Sequence, residues 1–297
     1  MPGADPRDLE LTVQRLNWWR ARHPEQADRV PRIIASWPDE RAIVMTRESG
    51  APLGRHLRWS PMRRLFRAQE RLDRFGCAFG AWLRSFAAGR PPYDDSIHPM
   101  LGQRSSLSVD GRLTVDARRL LANRIEQGHR AAHTLDRAGV RFTRNWSARF
   151  SLDSIERSVS EKEPAGFVHG DVKPDNVLVG RNGFSLIDWW VTPRVSWPLT
   201  DLANFAGNLR LGGGSAGATR LWQSLLHGYF ENGPDDQTLA TIDLVSFILC
   251  LTHSATSVQN KMSRFALVRR GRRFLADLSA RHRPMALGAG LREGLSL

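Results

Sequence analysis

Residues 168–188 read VHGDVKPDNVLVGRNGFSLID, and the spacing within them decides the fold expected for the whole chain. A short apolar run, Gly166 to Val168, leads into His169-Gly170-Asp171, and a polar loop continues to Asn176. Val177 to Ile187 then reads as a β-hairpin turning at Arg181-Asn182-Gly183, an Asn-Gly turn whose backbone twist suits two right-twisted strands. A hairpin brings the residues that flank its two strands to one end. Asn176 and Asp188 therefore meet there, with Asp171 on the loop just before them.

Two carboxylates and an amide oxygen converging on one small volume suit phosphoryl transfer. That reaction asks the protein for hard oxygen ligands to Mg²⁺ and for a carboxylate that orients the attacking hydroxyl and takes its proton. Asn176 and Asp188 fit the first role and Asp171 the second. Lys173, two residues on, offers positive charge to the moving group. The plain alternative is an ordinary hairpin with polar ends. The full set, HGDxKPxN followed by an apolar strand ending in Ile187-Asp188-Trp189, outweighs it.

At these residues the sequence resembles the catalytic core of the aminoglycoside phosphotransferase and choline kinase group, which are eukaryotic-like kinases acting mostly on small molecules. The resemblance is specific over residues 166–203. It implies that Asp171 is the catalytic base, that Asn176 and Asp188 are the Mg²⁺ ligands, and that His169 supports the loop. Gly170 stands where protein kinases usually carry Arg, and Trp189-Trp190 where they carry Phe-Gly. No Ala-Pro-Glu motif follows, so regulation by activation-loop phosphorylation is not expected. Lys173 is the more protein-kinase-like feature, since many small-molecule kinases have His there. Asp201, near the start of a helix, is by resemblance the carboxylate that braces the catalytic loop; on sequence alone a simple helix cap explains it nearly as well.

Upstream, Leu9 to Ala21 has helical periodicity, with Asp8 as a candidate cap and Pro24 past its end. Arg32–Trp37 and Ala42–Thr46 read as strands around a Pro38-Asp39-Glu40 turn. This order resembles the later half of a kinase N-lobe. Glu10 is then the candidate partner of an ATP-binding lysine, and Met45 to Glu48 the hinge that meets the adenine, with Met45 and Glu48 as nucleotide-site residues. Yet no Gly-rich loop precedes the catalytic stretch, and the first lysine is Lys162. A misplaced start, a natural short form and a degenerate kinase each account for this; the intact catalytic loop favours the first.

Downstream, Pro61–Ala88 reads as a long helix carrying Leu72, Phe75, Phe79, Trp82, Leu83 and Phe86, with Gly76 and Gly80 permitting close packing. Phe86 or a neighbour takes the place of the histidine that often ends this helix in small-molecule kinases. Arg90–Ser96 is a Pro-rich loop, and residues 98–111 read as a connection or insert. Val115–Ala138 is helical; its His129 and His133, at i and i+4, lack a third ligand and read as helix surface rather than a metal pair. Leu152–Val159 is a short helix. Residues 189–198 form an aromatic, Pro-containing loop. Helices follow at Thr219–Phe230, Gln237–Gln259 and Met262–Arg281, with Leu211 to Ser215 as a flexible connector.

Composition sets further bounds. With 297 residues, 41% hydrophobic and 25% charged, the chain has the makeup of a soluble globular protein. Cys77 and Cys250 fit neither a metal motif nor a disulfide framework. The start resembles no signal peptide, and the longest apolar run, Leu244–Leu251, is too short for a bilayer. A cytoplasmic protein without a membrane span is expected. The net charge of +13 rests almost wholly on Arg: either scattered solvated arginines or the mark of an anionic partner. No nucleic-acid motif is present. Acids are sparse after Asp201 (Glu231, Asp235, Asp236, Asp243, Asp277, Glu293), which argues against a polycationic aminoglycoside as native acceptor.

The expected fold is α+β and protein-kinase-like: a truncated N-lobe of one helix plus two strands, and a large, mainly helical C-lobe. Its expected parts are 1–50 for the partial N-lobe and hinge, 51–285 for the C-lobe with catalytic segment 166–203, and 286–297 for a disordered tail. The expected activity is transfer of phosphate from ATP (or GTP), with Mg²⁺, to a hydroxyl of a small anionic or sugar-like molecule. The alternative is a pseudokinase acting as a binding or regulatory module.

Overall fold

The computed structural model describes residues 6–37, 39–40, 42–58, 65–88, 106–107, 113–140, 146–150, 152–181, 183–189, 194–211 and 216–259. The expected helix at Met262–Arg281, the tail, the Pro-rich loop and the glycine connector lie outside these residues. In chain order come α1 (Pro6–Arg22), a 3-10 segment (Pro24–Arg29), β1 (Ile33–Trp37), β2 (Ala42–Met45), β3 (Ala51–Pro52), α2 (Leu53–Arg58) and α3 (Leu65–Ala88). Next are β4 (Ser106–Leu107), β5 (Leu113–Val115), α4 (Ala117–Arg137), a 3-10 turn (Trp146–Arg149), α5 (Leu152–Ser158), β6 (Glu163–Pro164) and β7 (Gly166–Val168). A 3-10 turn (Pro174–Asn176) precedes β8 (Val177–Gly180), β9 (Gly183–Leu186), β10 (Arg194–Ser196), α6 (Leu199–Leu211), α7 (Ala216–Tyr229) and α8 (Asp236–Gln259).

Helix α3 is the axis of the core. Its apolar residues recur at helical spacing, so Phe79, Trp82 and Phe86 share one buried face. Phe79 meets Phe184 of β9 edge-on and Phe205 of α6, while Phe86 meets Phe167 of β7 and Trp189. From the N-terminal side, Trp19 of α1 packs edge-on against Trp82 and Phe86. The opposite side of α3 lies flat on α7. A Cβ at Gly80 would stand 2.1 Å from the Leu225 carbonyl oxygen, so hydrogen is the only side chain this crossing admits.

Among the described residues four small antiparallel sheets hang on this core, and one of them positions the candidate site. Strand β3, just after the hinge, pairs with β8, which pairs with β9. The Ala51–Pro52 strand and the hairpin are thereby one sheet. The register pairs Gly180 with Gly183, so Gly183 opens β9 instead of filling the turn. Gly183 has φ +114, and a Cβ there would meet the Arg29 guanidinium at 2.0 Å. Arg29 spans this glycine, donates to the Phe184 carbonyl (3.1 Å) and sits 4.7 Å from the Phe184 ring centroid.

Other expectations need correction. Asp8 lies inside the first turn of α1 and does not precede it. Val115 belongs to β5, and Asp116 is the N-cap of α4, accepting the Arg119 N–H at 2.9 Å. The stretch read as an insert contributes β4, which joins β5 and β6. The loop read over 189–198 contains β10, paired with β7. Helix α8 carries an apolar window, Asp236–Ser257, long enough to cross a membrane by length and composition; 67% of it is buried against the rest of the chain, chiefly α4 and α6.

Candidate active site

The loop between β7 and β8 carries His169, Asp171 and Lys173, the 3-10 turn ends at Asn176, and the end of β9 delivers Asp188. The Asn176 carbonyl accepts the Ile187 N–H at 2.9 Å, which closes the open end of the hairpin and sets Asp188 beside Asn176. The buried Asn176 amide donates to the Asp171 carbonyl oxygen (3.0 Å) and to Asp171 Oδ2 (3.1 Å). Lys173 Nζ donates to the same Oδ2 at 2.5 Å. The four residues named from the sequence for catalysis and metal thus form one cluster.

Asp188 has φ +67, the sole non-glycine residue with positive φ among those described. Asp tolerates this left-handed region better than most residues, and strain of this kind gathers at functional sites. Burial raises the Asp188 carboxyl above its usual range, and the negative charge of Asp171 adds to this, while Lys173 and a hydrogen bond from Asn176 pull it back. Two carboxylates gathered at one asparagine side chain supply a set of hard oxygen donors. Among the described residues no three His, Cys, Asp or Glu side chains cluster as a closed metal cage. Mg²⁺ does not ask for one, since it takes one or two carboxylates and completes its shell with water and phosphate oxygens. The donor set fits.

His169 is fully buried and works behind the cluster. Its Nε2 donates to the Ile187 carbonyl (3.1 Å), so Nδ1 is the lone-pair nitrogen that accepts the Asp171 N–H (3.3 Å). One neutral imidazole links the residue before Asp188 to the backbone of Asp171. Burial pushes its pKa down to about 4. The edge of Trp189 packs on it at 4.4 Å between centroids, and Trp189 Nε1 donates to the Leu186 carbonyl at 2.7 Å.

Asp201 does not cap its own helix. Its Oδ2 accepts the His169 N–H at 2.6 Å and its Oδ1 the Gly170 N–H at 2.8 Å. Burial pushes this carboxyl up to about 7, against the pull of those two N–H donors. Sequence reasoning missed Asn204, whose amide donates to the Gly170 carbonyl at 2.8 Å. The D-x-x-N spacing puts Asp201 and Asn204 on one face of α6 and was a usable signal.

The N-terminal candidates lie apart from this cluster. Glu10 is exposed on α1 and pairs with Gln14. Met45 is half-buried at the end of β2 against the core. Glu48 accepts from Thr46 Oγ1 (2.7 Å) and from Ser185 Oγ (3.3 Å), tying the hinge to β9. His129 rests on Trp146 as a helix-surface residue.

The model of the phosphotransferase enzyme family matches residues 2–240. A search of curated protein sequences returned no match. Among solved structures the chain is similar to a glucosamine kinase in complex with glucosamine, ADP and inorganic phosphate, at 14% identity and TM-score 0.56, over 90% of this chain and 68% of that one. A second crystal form of glucosamine kinase gives 13% and 0.57, over 91% and 70%. A choline kinase from Cryptosporidium parvum gives 11% and 0.50, over 94% and 80%. At these identities the likeness is one of fold. The family match spans 239 of the 297 residues, and the chain belongs to the phosphotransferase enzyme family, with the kinase-like α+β fold of its structural neighbours.

Proposed function

We propose that this chain transfers the γ-phosphoryl group of ATP (or GTP), with Mg²⁺, to a hydroxyl of a small molecule. The observation that carries the reading is the Asp171–Asn176–Asp188 cluster with Lys173 on Asp171 Oδ2. Asp171 orients the acceptor hydroxyl and takes its proton as the new O–P bond forms and the bond to the leaving diphosphate breaks. Asn176 Oδ1 and the Asp188 carboxylate would hold Mg²⁺, which neutralises charge on the β- and γ-phosphates when bound. Lys173 offers positive charge to the transferred group. Asp201, His169 and Asn204 hold the loop backbone, so that Asp171 needs no rearrangement during the reaction. Met45 and Glu48 flank the adenine in this reading, and Glu10 belongs to the partial N-lobe of residues 1–50, with the C-lobe at 51–285. A cytoplasmic setting goes with a small-molecule kinase.

The acceptor in this reading is not an aminoglycoside. Three of the downstream acids are engaged in structural bonds: Glu231 pairs with Arg84, Asp235 caps α8 through Thr238, and Asp243 is buried against Arg210. The second reading, a pseudokinase, is favoured by one sequence fact: no lysine precedes Lys162. A thermal-shift titration with ATP and Mg²⁺, on the chain and on Asp171→Asn and Asp188→Ala, separates them. The enzyme reading expects Mg²⁺-dependent stabilisation lost in Asp188→Ala, and turnover lost in Asp171→Asn with nucleotide binding kept. Nucleotide binding without turnover on a broad panel of hydroxyl acceptors would leave the pseudokinase.

A further inference from the structure

A cavity of about 180 Å³ adjoins the catalytic loop on the C-lobe side. Gly170, the residue before Asp171, borders it, so a ligand held there lies beside the loop that carries the proposed base. Its apolar wall comes from Leu120 of α4, from Ile242 and Val245 of α8, and from Trp197, where β10 runs into α6. Trp197 is buried, which fixes its ring as one side of the space. Pockets for drug-sized ligands run to roughly 300–1,000 Å³, so this one suits a compact molecule.

The polar groups on the wall decide the class of that molecule. Among the described residues that line the cavity there is no carboxylate. An ammonium group brought there would give up water and gain no counter-charge, which is costly. Arg124 is the one charged side chain on the wall, and it is already engaged. Its Nη1 donates to Gln127 Oε1 (3.0 Å), and it makes a further interaction besides. An anionic ligand would have to compete with both.

Hydroxyl groups are what the wall offers. Ser196, Thr200 and Thr241 line the cavity from β10, α6 and α8. Thr241 Oγ1 donates its proton to the Gln237 carbonyl (2.8 Å) and keeps lone pairs with which to accept. Neither the Ser196 nor the Thr200 hydroxyl has a hydrogen-bond partner among the described residues, so each is able to donate and to accept. The backbone beneath them is held: Ser196 pairs with Gly166 of β7, and the Thr200 N–H donates to the Trp197 carbonyl (3.0 Å).

We propose that this cavity is the acceptor site and that its ligand is a compact, uncharged polyhydroxyl compound, hydrogen-bonded by Ser196 and Thr200 with its C–H face against Trp197. This rests on the phosphotransferase reading only in calling the ligand an acceptor.

The test is calorimetric titration, without nucleotide, of four probes of similar size: glucose, myo-inositol, glucosamine at a pH that keeps its amine protonated, and glucuronate. At least one of the two neutral probes is expected to bind in the millimolar range or tighter, and about tenfold or more tighter than either charged probe. Thr200→Val, nearly isosteric, is expected to weaken that neutral probe by about three- to tenfold at an unchanged melting temperature. Val245→Phe, which fills the cavity from α8, weakens it further. A charged probe that binds as tightly as the better neutral one, a neutral probe whose affinity ignores both substitutions, or no binding of either neutral probe at millimolar concentration overturns the proposal. Each of these can occur while the Mg²⁺–ATP shift persists, so failure here is distinct from failure of the nucleotide reading.

Discussion

The backbone N–H of His169 lies 2.6 Å from Oδ2 of Asp201, a residue 32 positions later in the chain. This bond joins two buried groups that titrate in opposite senses. His169 falls to about 4 in the folded state, so between pH 4 and 6.5 the unfolded chain holds more protons there, and stability rises with pH across that window. Asp201 rises to about 7, so from its ordinary 3.8 upward the folded chain holds more protons, and stability falls with pH until about 7. Each slope reaches at most about 1.4 kcal/mol per pH unit, and over pH 4–6.5 the two oppose each other. Urea unfolding at a series of pH values is expected to show a more steeply falling stability in His169→Gln than in the parent, and a rising one in Asp201→Asn. Identical slopes in all three chains would refute this account.

A second buried pair tests the packing of the C-lobe. Arg210 on α6 and Asp243 on α8 form an ion pair with both side chains almost fully enclosed. Removing one partner strands a charge away from water. Asp243→Ala is therefore expected to cost about 3–5 kcal/mol in urea unfolding. The double replacement Arg210→Met with Asp243→Leu removes both charges and is expected to recover most of that loss. A double variant no better than the single one would mean that the pair does more than neutralise itself.

The α3–α7 crossing makes a sharper steric prediction. A Cβ at Gly80 meets a backbone carbonyl at 2.1 Å, and neither helix backbone can give way locally. Gly80→Ala, which in an exposed helix would stabilise by about 1 kcal/mol, is here expected to destabilise by about 1–3 kcal/mol or more. A melting temperature equal to or above the parent's would show that the helices separate at little cost.

What the sequence revealed follows from how local each feature is. The hairpin at Val177–Leu186 and the cluster at its end were legible because strand, turn and strand are consecutive, and the long period of α3 was legible for the same reason. The pairing of β7 with β10 joins residues 26–30 positions apart and that of β3 with β8 residues 126–128 apart, through strands of two to four residues, too short to carry a period of their own. Gly183 was read into the turn, whereas it opens β9 with the Arg29 guanidinium where a Cβ would stand, and no local rule records a contact with so distant a residue. The bracing role of Asp201 came from resemblance, since a Leu-Thr-Asp helix start reads equally as a cap. Asn204 went unread although its i+3 spacing from Asp201 puts both on one face of α6, because the Gly170 carbonyl it meets lies 34 positions earlier in the chain.

The left-handed backbone of Asp188 separates its conformational role from its charge. At φ +67 an Asp or Asn is accommodated, whereas a β-branched residue pays about 1–2 kcal/mol. Burial and the neighbouring Asp171 already disfavour the Asp188 charge in the absence of a cation, as its raised pKa records. Asp188→Asn keeps the backbone and removes that charge, so its stability without Mg²⁺ is expected to equal or slightly exceed the parent's. Its Mg²⁺-dependent stabilisation by ATP is expected to vanish, because the one carboxylate of the proposed ligand pair is gone. Asp188→Val is expected to lose both the metal response and about 1–2 kcal/mol of stability. Thermal unfolding of the three chains, with and without Mg²⁺ and ATP, checks each part independently. A full Mg²⁺–ATP shift in Asp188→Asn would remove Asp188 from the metal site, and Val as stable as Asn would remove the backbone argument.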